Sequence, residues 1–128
     1  KGIPVITIGQ DEFPSFYSRK SGFISPLRMD TEKEIAQMLT IKWAMGLNGS
    51  VLIANPVPAE QEVAPEIIEK YIQLALAEAD KKHITGKEVT PFILKFIAEN
   101  SSGESLEANI ALIHHNAILA AKIAIAMK

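Results

Sequence analysis

The chain has no cysteine, which removes disulfide frameworks, thiolate zinc sites and thiol nucleophiles from consideration. It has no basic patch interleaved with aromatics: acids and bases alternate and sum to a net charge of −2, which argues against a nucleic-acid surface. No uninterrupted apolar run approaches the roughly 20 residues that cross a bilayer, and no signal peptide is visible, so no membrane contact is expected. Standard catalytic signatures are missing too. There is no glycine-rich phosphate loop, no His-Glu-x-x-His and no Gly-x-Ser-x-Gly. What remains is 128 residues, 48% apolar, enough for one domain with a real core. Lys1-Gly2 leads at once into an apolar strand with no methionine before it, which predicts a piece of a longer polypeptide.

The strand Ile3–Ile8 is nearly continuous in apolar residues, as suits a central parallel strand, and Gly9 ends it. Asp11-Glu12-Phe13-Pro14 follows at the carboxyl end, where open α/β sheets place ligands. The two acids offer acid–base or metal chemistry, against the plainer reading of a solvated turn. Ser18–Gly22 is a basic turn able to meet a phosphate, and residues 23–29 read as a short extended segment bent at Pro26. Thr31 with Glu34 forms a capping box, opening a helix whose buried side is expected to hold Ile35, Met38, Leu39 and Trp43, with Met45 also in the core.

A second apolar strand spans Ser50–Ala54, and Asn55-Pro56-Val57-Pro58 stiffens its exit at another possible cleft. Pro65 opens a helix through about Asp80, with Ile67, Ile68, Tyr71, Ile72, Ala75 and Leu76 on a broad stripe. Thr90 is read as an N-cap with Pro91 in the first helical position, and Asn100-Ser101-Ser102-Gly103 as the break after it. Ser105 is read as the cap of a last helix reaching nearly to the end. This alternation predicts an α/β fold, a layered α/β/α sheet with flanking helices.

Few side chains point to chemistry. Asn109 and Asn116 lie seven residues apart, close to two helical turns, on a largely apolar face shared with Ile113. They are either ties to a loop or amides presented to a ligand. Lys87-Glu88 before Thr90 puts an acid and a base at a helix entrance, which favours anions, although a salt-bridged turn is the simpler reading. His114 and His115 point about 100° apart, wrong for joint chelation, and read as surface or partner-facing residues.

GKEVTPFILKFIAENSSGESLEANIALIHHNAILAAKIA resembles the C-terminal region of pseudouridine-5′-phosphate glycosidases, the indigoidine synthase A-like family. The resemblance extends through GIPVITIGQDEFPSFYSRKSG and VLIANPVP, in matching order over residues 1–128. It implies the C-terminal portion of a larger single-domain cytoplasmic enzyme. That enzyme reversibly cleaves the C–C glycosidic bond of pseudouridine 5′-phosphate to uracil and ribose 5-phosphate.

The resemblance further implies an imine-forming lysine, a proton-moving glutamate and an aspartate binding a manganese-type ion, all upstream of Lys1, so this chain carries no catalytic residue and no metal ligand of its own. It implies the N-terminal part of the same enzyme as a partner, and a homotrimer. Asn109 matches a family asparagine that contacts substrate; Asn116, Lys87, Glu88 and Thr90 are the further substrate-binding candidates. The alternative is a non-catalytic α/β assembly module, or a phosphate-binding module using Arg19, Lys20 or Lys87.

Overall fold

The computed structural model describes residues 2–101 and 103–128. Lys1, and Ser102 within the expected break between the last two helices, lie outside the described residues. Three short strands form one parallel sheet: β1 (Val5–Ile8), β2 (Leu27–Met29) and β3 (Leu52–Ala54), in the order β2-β1-β3. The two strands expected from the apolar runs, β1 and β3, are neighbours in it. Ile6 stands opposite Leu27 on one side and Ile53 on the other, and Thr7 opposite Ala54. Both strands are shorter than the apolar runs suggest. Ile3 is more than half exposed, whereas Pro4 still lends its carbonyl to the Leu52 amide at 2.9 Å.

The helix α1 (Glu32–Ala44) carries the chain from β2 across β1 to β3. Its start is as expected: the Thr31 hydroxyl accepts from the Glu34 amide at 3.2 Å, and the Glu34 carboxylate accepts from the Thr31 amide at 2.8 Å. Its end is not. Trp43 is 48% exposed and Met45 69%, so neither is core. The cluster under the helix consists of Ile35, Ala36 and Leu39 with Leu119 and Ile123, flanked by Ile8, Met29, Met38 and Ile53. None of its α1 members lies beyond Leu39, so the last turn extends past the partners this chain offers.

A second core lies beyond the sheet, where α2 (Pro65–Lys81) packs on α3 (Val89–Asn100). Ile68, Ile97 and Ala108 meet Tyr17, Val57 and Val63 there. The apolar stripe of α2 is narrower than its sequence suggests, since Ile67 and Leu76 stay exposed. Thr90 is not an N-cap. A 3-10 turn at Gly86–Glu88 runs straight into α3, so Glu88 takes the cap position and Thr90 and Pro91 fall inside the first turn. Proline is tolerated there because amides of the first turn have no partner within the helix.

The last helix, α4 (Glu104–Ala126), is likewise not capped by Ser105. Gly103 occupies the cap position at φ 92°, a conformation glycine adopts without strain. Ser105 is buried, and its amide donates to the Ser101 hydroxyl, which in turn donates to the Ser105 hydroxyl at 2.6 Å. The serine one turn earlier therefore does the capping. Polar residues interrupt the apolar runs of α4, as expected, but its length and average composition alone would suffice to cross a membrane.

Replacing Ile35 by alanine should cost about 2–5 kcal/mol of folding stability, because it empties a fully buried site. Replacing the half-exposed Trp43 should cost under about 1 kcal/mol. Urea denaturation of the two variants checks the assignment of the core, and the reverse order would contradict it.

Candidate functional site

The carboxyl ends of β1 and β3 lie side by side, and α4 crosses them. His115 Nδ1 lies 3.0 Å from the Pro56 carbonyl. A carbonyl can only accept, so Nδ1 carries a proton and donates it to Pro56. On the next residue, the Asn116 side-chain oxygen accepts from the Asn55 amide at 3.0 Å. Each asparagine keeps one unshared end, an oxygen on Asn55 and an NH₂ on Asn116.

Between these strand ends is a cavity of about 210 Å³ whose polar lining comes from Arg19, Glu32, Asn55, His115 and Lys122, with Gly9 at the turn. The site has both charges. Glu32 and Lys122 pair at 3.1 Å. The Glu32 carboxyl is held below the ordinary glutamate range, first by its own backbone amide at the start of α1 and then by Lys122.

Arg19 is held from several sides. The Glu62 carboxylate accepts from the Arg19 amide and the Ser18 hydroxyl, each at 2.8 Å. The Gln10 side chain donates to the Arg19 carbonyl at 2.6 Å, and the guanidinium donates to the Val57 carbonyl at 3.0 Å. The acids of the first loop serve the same clasp. Glu12 accepts from the amides of Ser21 and Gly22, while Asp11 pairs with Arg28 at 3.0 Å. Neither lines the cavity.

The residues singled out in the sequence do not converge. Asn116 lies at the strand ends through Asn55. Asn109 is two turns earlier on α4, roughly 10 Å along the axis, half-buried and without a side-chain hydrogen bond among the described residues. Lys87, Glu88 and Thr90 are exposed at the entrance of α3, and none lines the strand-end cavity. Of the cations offered for a phosphate, Arg19 lines that cavity and Lys20 and Lys87 do not.

Sequence reasoning missed His115, because its exposed neighbour His114 suggested a surface pair. Helix phase carried the signal: His115 lies four residues before buried Leu119 and seven after buried Ala108. Among the described residues there is no group of three His, Cys, Asp or Glu side chains able to hold a metal ion.

Taken together, a parallel sheet with helices around it defines an α/β protein, and its polar cavity lies at the strand carboxyl ends, where open α/β sheets place ligands. The pattern of the family described as indigoidine synthase A like protein matches residues 1–126, and the chain belongs to that family. It is 51% identical over 124 residues to a pseudouridine-5′-phosphate glycosidase of Deinococcus radiodurans, covering 97% of this chain and 40% of that protein. It is 54% identical over 123 residues to one of Geobacillus kaustophilus, covering 96% and 41%.

Among solved structures it is similar to the prealnumycin C-glycosynthase AlnA in complex with ribulose 5-phosphate, at 28% identity and a TM-score of 0.86. That match covers 98% of this chain and 41% of AlnA. An indigoidine synthase A-like protein of Thermotoga maritima matches at 34% identity and 0.74, over 98% and 40%. The chain thus spans about 40% of the length of the relatives it matches.

The two glutamates at the start of α1 give a pH signature. Glu34, held low by the amides of Asp30 and Thr31, and Glu32 both favour the ionised form when folded. Their contribution is present above the ordinary carboxylate range and is lost as pH falls through the depressed folded values. The denaturation midpoint should therefore hold near neutrality and drop below roughly pH 4.3. The drop should be shallower in the Glu32→Gln/Glu34→Gln double variant; equal slopes would contradict these assignments.

Proposed function

We propose that this chain is the C-terminal portion of a pseudouridine-5′-phosphate glycosidase. The whole enzyme reversibly converts pseudouridine 5′-phosphate and water to uracil and ribose 5-phosphate. What carries the reading is the match over almost the whole chain, 54% identical across 123 residues, to a relative bearing that name. Ribulose 5-phosphate in the AlnA complex supports a sugar phosphate as the ligand class. The strand-end cavity offers such a ligand the Arg19 guanidinium, the side-chain amide of Asn55 and the His115 imidazole, with Asn116 bonded to Asn55 at its border.

The chemistry needs more than this chain holds. A C–C glycosidic bond has no heteroatom leaving group to protonate, so an electron sink is required. A lysine imine provides one, and that lysine, the proton-moving glutamate and the manganese-type ion belong to the portion that the relatives carry beyond the match. Asn109 binds and orients the uracil, for which a carboxamide has both a donor and an acceptor, and Asn116 is a further substrate contact. Lys87, Glu88 and Thr90, exposed at the entrance of α3, stand as secondary substrate contacts. A homotrimer in the cytoplasm completes the proposal.

A chimera with residues 1–128 in place of the matching portion of the Geobacillus kaustophilus relative should release uracil from pseudouridine 5′-phosphate. Borohydride with ribose 5-phosphate should trap an adduct on it. Residues 1–128 alone should do neither, and a stoichiometric adduct on Lys20 or Lys87 of the chain alone would overturn the division of roles. In the chimera, Asn109→Ala should lower kcat/KM roughly 2- to 12-fold, the equivalent of one lost hydrogen bond of about 0.5–1.5 kcal/mol. Its Tm should barely change. Unchanged activity, or loss that follows unfolding, would make Asn109 a structural tie.

A further inference from the structure

Among the described residues the sheet ends at β3. Leu52 donates its amide to Pro4 of the first-strand segment, and in a parallel ladder alternate residues face opposite neighbours, so the Ile53 amide and carbonyl point away from β1. Beside this edge runs a groove of about 470 Å³ walled by Ile53, Ile123 and Met127 and floored by Ala120 and Ala124. Asn55 and Asn116 close its upper end. Ala120 and Ala124 are exposed.

We infer that this edge and groove seat a fourth parallel strand, apolar and rich in bulky branched residues. It comes from the portion that relatives carry beyond the region matched here. The inference rests on reading the chain as one portion of a longer polypeptide. Three observations select this occupant. A row of unpaired backbone groups beside an apolar trough fits a strand, whereas a helix could not bond to that edge. All three strands present are parallel, and parallel sheets are normally buried rather than left with an open apolar margin. The relatives supply the chain: this fold recurs in AlnA as 41% of a longer molecule.

A second copy fits less well. Two β3 edges meeting about a twofold axis would run antiparallel, with three residues each. A bilayer fits poorly because Asn55 and Asn116 stand at the groove's mouth. The inference has a consequence for the site. A parallel strand in this seat delivers its carboxyl end beside the Asn55–Asn116 pair, which borders the groove, while Asn55 also lines the strand-end cavity.

Hydrogen exchange on residues 1–128 alone and within the chimera tests this directly. The Ile53 amide should exchange at least ~100-fold more slowly in the chimera. Ala124→Arg, at an exposed position, should lower the chimera's Tm by roughly 5 °C or more and leave that of residues 1–128 almost unchanged. Equal Ile53 exchange in both proteins, or equal effects of Ala124→Arg, would overturn the inference. So would a dimer of residues 1–128, or their sedimentation with phosphatidylcholine vesicles, abolished by Ala124→Arg. A chimera that protects Ile53 but releases no uracil would support the seat while overturning the glycosidase reading.

Discussion

The structure depends on one helix serving two cores at once. The first half of α4 places Ala108 in the cluster formed with α2 and α3, and its second half places Leu119 and Ile123 over the sheet beneath α1. At about 35 Å, a helix of 23 residues is long enough to do both. Between the two cores it presents His115 and Asn116 to the turn after β3, where Pro56 and Asn55 receive them. The strand ends are thereby fixed relative to both halves of the chain, and the cavity between them inherits that rigidity.

The loop after β1 is held by a different device. Several of its bonds run from polar side chains to backbone groups. Glu12 gathers the amides of Ser21 and Gly22, Gln10 bridges the carbonyls of Glu12 and Arg19, and Glu62 reaches from beyond β3 to Ser18 and Arg19. A carboxylate accepting amide hydrogens makes charge-assisted bonds, stronger than neutral ones. The outcome is an arginine brought to the cavity on a loop that would otherwise be irregular.

The α/β class, the two apolar strands and the capping box of α1 were all legible in the sequence, because each rests on local pattern: apolar runs, proline at Pro65, and Thr31 three residues before Glu34. What failed depended on where the chain meets itself. Thr90 and Ser105 have the chemistry of caps, but a 3-10 turn and a hydroxyl one turn earlier took those places. Trp43 has helical phase with Ile35 and Leu39, yet no partner reaches its turn. Of the candidate site residues, Asn116 lies at the strand ends, whereas Lys87, Glu88 and Thr90 do not, since a helix entrance in sequence gives no information about which sheet end it faces. Arg19 and His115 reach the cavity through contacts 38 and 59 residues away in sequence, which no local pattern reports.

The central claim is that ligand recognition by this chain lies at the carboxyl ends of β1 and β3. It is tested most directly by titrating isotope-labelled residues 1–128 with ribose 5-phosphate and following amide chemical shifts by NMR. The account predicts saturable shifts clustered at Gly9, Arg19, Asn55 and His115–Asn116. Shifts confined to Gly86–Val89 at the entrance of α3, with the strand ends unmoved, would contradict it.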